Sequence, residues 1–143
     1  KVNFVKGTQL ASDVSTINTY LTKISDSLKA AQKTVYNQNT NLPYYVDTLG
    51  TGSLPVLNDS IVVTYKGRAL YADTLFVNVP RPVKLSLKSQ INGWRNIIPQ
   101  LKEGSFATLL IPSGYGYGGI GTIGIPANTN LVYQIKLVKV IHH

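Results

Sequence analysis

The chain of 143 residues has no cysteine and no methionine, one tryptophan, one glutamate, and two histidines that both sit at its C-terminal end. Each absence removes a class of chemistry. Without cysteine there is no disulfide, thiol nucleophile or Cys-ligated zinc. With His142 and His143 as the only imidazoles, no Ser-His or Cys-His couple is expected inside the fold, and a structural role or an appended terminus is the reading for both. Six acidic residues are too few to converge as paired hydrolytic carboxylates or as an oxygen-ligand metal site, so neither a metal nor a cofactor is expected. Glu103, just before Gly104, reads as a solvated side chain at a helix end.

Negative charge is scarce as well: 14 Lys and Arg face 6 acids, for a formal charge of +8. The basic residues stand singly, without a run of like charge or a recognisable nucleic-acid module, so the excess reads as a solvated surface and nucleic acid is not an expected partner. Arg68, Arg81, Lys84, Lys88 and Arg95 are the candidates for a local basic patch. No stretch approaches the ~18 apolar residues of a membrane span. A chain opening Lys1-Val2-Asn3 without methionine is expected to be a trimmed form, with any targeting segment gone.

The composition that remains, with 12 Gly, 7 Pro and 9 Tyr and 43% hydrophobic residues, favours strands punctuated by turns over a helical bundle. Residues 12–31 are the exception. Val14, Ile17, Leu21, Ile24, Leu28 and Ala31 recur every three or four positions, an apolar stripe along one helix face, with Ser12 or Asp13 as N-cap. Three roles are open to that stripe: packing on the domain, pairing with a second chain as a dimer, or a loosely attached stalk. Residues 32–43 carry no periodicity and read as a linker, which sets a boundary between 1–43 and a folded domain over 44–143.

Strands are read at Tyr44 to Leu49, at Ile61 to Lys66 with Gly67 closing it, at Leu85 to Leu87, at Phe106 to Ile111 and at Leu131 to Val140. A short helix over 92–101 presents Trp94, Ile97, Ile98 and Leu101, and must shorten or bend at Pro99. Phe106 to Ile111 is apolar on both faces, which implies cover on both sides, and the leading helix is expected to dock there. The fold class is α+β, an antiparallel sheet wrapped around one short helix, plus an N-terminal amphipathic helix.

Gly114 to Gly119 and Gly119 to Gly124 each satisfy G-x-G-x-x-G, but Ile120, Thr122, Ile123 and Pro126 follow and no helix opens there to cradle a phosphate. The segment reads instead as a partly apolar flap. Tyr65, Phe76, Ile91, Trp94, Tyr117, Ile125 and Tyr133 then form a set of large apolar groups spread over several elements, which on composition alone is either core or a pocket lining.

The order and spacing of Val63-Thr64-Tyr65-Lys66-Gly67, Phe76, Ile91-Asn92-Gly93-Trp94, Tyr115-Gly116-Tyr117-Gly118 and Ile125-Pro126-Ala127-Asn128 resemble the FKBP family of peptidyl-prolyl cis-trans isomerases, over roughly residues 44–141. The resemblance implies an apolar cleft in which Tyr65, Phe76, Trp94 and Tyr117 are catalytic and Ile91, Ile125, Tyr133, Val77 and Val83 bind substrate. It implies a mechanism with no acid, base or cofactor, and proline-containing peptides or unfolded protein segments as partners, with the family's macrolide inhibitors as ligands of the same cleft. Where the family has an F-D pair this chain has Phe76-Val77, its second pocket aromatic appears as Val83, and I-P-P reads Ile125-Pro126-Ala127. A catalytically weak peptide-binding or chaperone module on the same fold is therefore the alternative. A leading helix before such a domain is also similar to exported bacterial isomerases, periplasmic or lipoprotein-anchored.

Overall fold

The computed structural model describes residues 7–37 and 41–143. Helix α1 (Gly7–Ala30) is followed by strands β1 (Thr34–Tyr36), β2 (Tyr44–Thr48), β3 (Ser60–Ala69) and β4 (Leu75–Ser86), helix α2 (Asn92–Ile97), and strands β5 (Phe106–Ile111) and β6 (Leu131–Ile141). The six strands form one antiparallel sheet in the order β1-β2-β5-β6-β3-β4.

Alternation along β5 places neighbours on opposite faces. Leu109 and Ile111 join the front core with Ile61, Val63, Ile135 and Leu137, beneath Trp94, Ile97 and Ile98 of the α2 region. Leu110 points to the back, where it meets Ile17, Leu21, Leu28, Leu70 and Val132. The helix thus docks on the second apolar face of β5, and of the three roles open to it the structure shows packing on the domain. Each of the three buried aliphatic side chains of α1 contributes at most about 1.5–3 kcal/mol through area removed from water. Polar ties flank this contact. Arg68 Nη2 donates to the Tyr20 hydroxyl at 3.0 Å and Nη1 to the Leu70 carbonyl at 2.7 Å, so this candidate for a basic patch is spent on fixing the helix.

Several boundaries differ from the sequence reading. α1 starts at Gly7, and Asp13 lies inside it, not at its cap. Its C-terminus closes with Gln32 at φ 57, with the Lys33 amide donating to Leu28 at 2.9 Å and the Gln32 amide to Lys29 at 3.0 Å. These two bonds satisfy carbonyls that the last turn leaves open. The stretch read as linker supplies edge strand β1, which pairs with β2; residues 38–40 within it, like the chain's opening at Lys1-Val2-Asn3, lie outside the described residues. Gly67 does not end β3, which continues to Ala69. β4 is 12 residues long, where the sequence pattern marks only Leu85 to Leu87 as strand. Val63 pairs with Val83 and Tyr65 with Val79, so Pro80, Arg81 and Pro82 bulge out opposite Thr64. An edge strand tolerates proline because one side of it needs no donors. The helix at 92–101 is α2 followed by a 3-10 turn over Ile98–Gln100 that accommodates Pro99.

Candidate functional site

Six segments converge on a cavity of about 200 Å³ on the front of the sheet. β3 contributes Tyr65, β4 contributes Phe76 and Val77, the turn into α2 contributes Gln90 and Ile91, and α2 contributes Trp94. The flap between β5 and β6 adds Tyr117, Thr122, Ile123 and Ile125, and β6 adds Tyr133. Four rings are linked edge to face: Tyr65 to Trp94 at 4.9 Å and 90°, Trp94 to Tyr133 at 5.3 Å and 87°, and Tyr133 to Phe76 at 5.7 Å and 85°. Such contacts add about 0.5–1.5 kcal/mol each beyond burial and fix the ring planes. Trp94 at the floor is 3% exposed, and its indole N–H finds no acceptor among the described residues.

The sequence-predicted residues Tyr65, Phe76, Val77, Ile91, Trp94, Tyr117, Ile125 and Tyr133 all line this cavity. Val83 does not; it pairs with Val63 further along β3 and packs on the core, because the bulge carries the chain past the cavity before reaching it. Gln90, Thr122 and Ile123 line the site without having been singled out. Gln90 directly precedes Ile91, and the other two lie in the flap, where no periodicity marks a side chain's direction.

Burial, together with the neighbouring Tyr117 hydroxyl, pushes the Tyr65 phenol up. Burial is also the larger cause at Tyr133, where the approach and hydrogen bond of Tyr117 add to it. Both phenols stay neutral at physiological pH, so they can donate or accept hydrogen bonds but cannot act as bases. The flap that holds Tyr117 is built from backbone bonds: the Gly121 amide donates to Tyr117 at 3.0 Å, Thr122 and Ile125 exchange amide bonds at 2.9 and 3.0 Å, and the Asn128 amide donates to Gly118 at 2.8 Å. Gly121 at φ +73 could not carry a Cβ, which would lie 2.5 Å from the Ile125 carbonyl oxygen. Ile120 and Ile123, 83% and 100% exposed, stand at the flap's tip.

Two other constellations lie away from this cavity. A larger groove of about 670 Å³ runs beside α1, but its lining of short side chains such as Ala11, Val14, Ser15 and Thr19 brings no ring or charge to a common point. The C-terminus overturns the expectation that no Ser-His pair forms: His142 Nε2 lies 3.0 Å from Ser53 Oγ, its Nδ1 lies 2.9 Å from Asp59, and His143 Nε2 lies 2.8 Å from Ser60 Oγ. Sequence reasoning missed this because β6 runs antiparallel to β3 and brings residue 141 opposite residue 60.

Asp59 also accepts from the Val56 and His143 amides at 2.8 and 3.3 Å, while Ser53 and His142 are exposed. The cluster clasps the strand end. The Val56 amide foremost, opposed by burial and aided by the His143 amide and His142, holds the Asp59 carboxyl below its ordinary 3.8. A carboxylate whose folded value is depressed stabilises the fold above its unfolded value and loses that contribution as pH falls through the folded one. Asp59→Asn is accordingly expected to lower Tm at neutral pH, with the gap to wild type closing below about pH 4, in melts followed from pH 7 to pH 2.5.

The comparisons with known proteins agree with this geometry. A sequence model described as FKBP_C, FKBP-type peptidyl-prolyl cis-trans isomerase, matches residues 52–138. The FKBP-type isomerase FkpA of Escherichia coli K12 is 34% identical over 113 residues, 78% of this chain and 42% of that protein. The peptidyl-prolyl cis-trans isomerase Mip of Coxiella burnetii is 32% identical over 115 residues, 78% of this chain and 49% of that one. The chain therefore spans about half or less of the length of these relatives. Among solved structures, E. coli FkpA superposes with a TM-score of 0.71 at 31% identity, covering 93% of this chain and 63% of that one. A Pseudomonas syringae isomerase gives 0.69 at 26% identity, covering 83% and 96%. With the matched region containing every residue that lines the cavity, this chain belongs to the FKBP-type peptidyl-prolyl cis-trans isomerase family.

Proposed function

We propose that the chain catalyses cis-trans isomerisation of X-Pro bonds in peptides and unfolded protein segments, with Tyr65, Phe76, Trp94 and Tyr117 as the catalytic residues. The observation that carries this reading is the run of edge-to-face rings that forms the floor and wall of a cavity also lined by Tyr117. About 200 Å³ suits one proline ring better than a drug-sized ligand, whose pockets run from about 300 Å³ upward, so a macrolide would need the flap to move. Rotation about the prolyl bond is slow because amide resonance, with a barrier of ~18–20 kcal/mol, must be lost. Twisting makes the carbonyl less dipolar, so an apolar floor penalises the planar state more than the twisted one. Trp94, Phe76 and Tyr65 would seat the ring, and the Tyr117 hydroxyl and the Ile91 amide would hold flanking carbonyls. A differential of only ~4 kcal/mol would give about 1000-fold. The exposed Ile120 and Ile123 would meet apolar residues flanking the proline of an unfolded client. On the resemblance to exported bacterial isomerases we place the protein outside the cytoplasm.

A second reading rests on Val77, which lines the cavity where the family pattern has aspartate: a module that binds proline segments with little turnover. NMR exchange spectroscopy on a short Leu-Pro peptide separates the two. Catalysed exchange is expected, falling about 3- to 10-fold in Tyr117→Phe, the size of one hydrogen bond. Exchange at the uncatalysed rate while peptide shifts still titrate would replace the isomerase with the binding module.

A further inference from the structure

The buried groups outside the cavity include one carboxylate with no cation beside it among the described residues. Asp13 on α1 is 3% exposed, and among the described residues the ion pairs are Lys33 with Asp47 and His142 with Asp59. Burying an unpaired carboxylate is costly unless hydrogen bonds replace its water. Here they do. Asp13 Oδ1 accepts from Gln9 Nε2 at 2.8 Å, and Oδ2 accepts from the Ser113 amide at 3.2 Å and from the Ser113 hydroxyl in a short bond.

Ser113 is the base of the flap. It is 1% exposed, its amide is shared with Asn130 Oδ1 at 3.1 Å, and its carbonyl accepts the Gly116 amide at 3.0 Å and the Gly118 amide at 2.7 Å. Those two amides bracket Tyr117. A continuous path of hydrogen bonds therefore runs from the interior of α1, through Ser113, to the backbone on both sides of the tyrosine over the cavity. α1 lies outside residues 52–138, so the segment that carries this carboxylate is not part of the region matched to the family. Apolar packing alone would seat the helix, as Ile17, Leu21 and Leu28 do, and a leucine at position 13 would serve that purpose without desolvating a charge.

We propose that Asp13 is a positioning residue: through Ser113 it fixes the flap that presents Tyr117, which makes α1 a working part of the prolyl site and not an appendage. The proposal rests on reading the cavity as the isomerase site.

The test compares full-length Asp13→Ala, Asp13→Asn and Ser113→Ala with Leu28→Ala, which weakens the helix seat at its other end. Two readouts are taken below all melting temperatures: amide hydrogen exchange at Gly116 and Gly118, and catalysed exchange of a Leu-Pro peptide resolved into kcat and KM. Asp13→Ala and Ser113→Ala are expected to speed exchange at both amides at least tenfold and to lower kcat/KM about tenfold. Asp13→Asn, which keeps an acceptor for Ser113, should restore most of both. Leu28→Ala should lower Tm while leaving the two amides and kcat/KM within twofold of wild type. Should Asp13→Ala fail to fold, Ser113→Ala and Asp13→Asn carry the comparison. Flap amides unchanged in Asp13→Ala or Ser113→Ala, with only Tm reduced, would make Asp13 a packing anchor and overturn the proposal. A wild type that does not accelerate prolyl exchange overturns the isomerase reading instead, and the amide data still decide whether Asp13 fixes the flap.

Discussion

Trp94→Ala is expected to lower kcat/KM for prolyl exchange by about 100-fold or more, equivalent to ~2.7 kcal/mol of transition-state stabilisation. The indole is the floor of the cavity and the middle of the ring series, touching Tyr65 on one side and Tyr133 on the other. Its removal deletes the apolar surface under the proline and frees both neighbours to turn, so the loss exceeds that of any single hydrogen bond at the rim. The same change hollows the core beside Ile97, Ile98 and Leu109. Truncating a buried aromatic costs about 3–5 kcal/mol, a large part of the about 5–15 kcal/mol that holds a domain folded. Trp94→Leu separates the two effects. Leucine keeps apolar contact and much of the stability but offers no flat floor, so Tm should recover while kcat/KM stays at least tenfold down. If the leucine variant is folded and as active as wild type, the ring is a core residue and the mechanism proposed here loses its main element.

The front of this molecule was legible in the sequence for a definite reason. Pocket residues on strands and on α2 sit in segments with their own period, so Tyr65, Trp94 and Tyr133 declare both their element and their face. β5 declared that it was covered twice because consecutive residues Leu109, Leu110 and Ile111 leave no polar side. What period cannot carry was missed. β4 is hidden by Pro80 and Pro82, which belong to a bulge on an edge, and β1 is a strand only because β2 lies beside it.

The polar contacts were missed for a related reason: each joins residues far apart in the chain. Asp13 looks like an N-cap until Ser113 is placed against it, a hundred residues away. His142 looks like a loose end until β6 carries it to Asp59. Buried polar groups must be paired, but the pairing rule does not say with whom. Those two carboxylates, with Asp47 held by Lys33 at 2.5 Å and by Thr108 at 3.0 Å, commit half of the six acidic residues to internal ties.

Gly67→Ala is expected to impair the site by setting a methyl against two of its rings. Gly67 lies within β3, and its φ is not in the left-handed region, so the residue is there for space and not for conformation. A Cβ would stand 2.8 Å from Phe76 Cζ and 2.8 Å from Tyr133 Cε1, well inside van der Waals contact. Tyr133 is 3% exposed and held edge-on by Trp94, whereas Phe76 is only half buried on the outermost strand. The phenylalanine must therefore yield, opening the Phe76 to Tyr133 contact and displacing one wall of a cavity of about 200 Å³. Overpacking of this kind costs about 1–3 kcal/mol, and an anchor shifted by about 1 Å can cost on the order of 100-fold in rate. Gly50→Ala is the matched control. Its Cβ would run into the Glu103 carbonyl and the Ser105 amide, backbone that cannot turn aside, at a place where none of the cavity's lining residues lies. Gly50→Ala should lose more stability than Gly67→Ala yet keep the kcat/KM of its folded fraction, and Gly67→Ala should show the reverse. Should Gly67→Ala retain kcat/KM within twofold of wild type, the wall formed by Phe76 is not part of what holds the proline, and the catalytic set contracts to Trp94, Tyr65 and Tyr117.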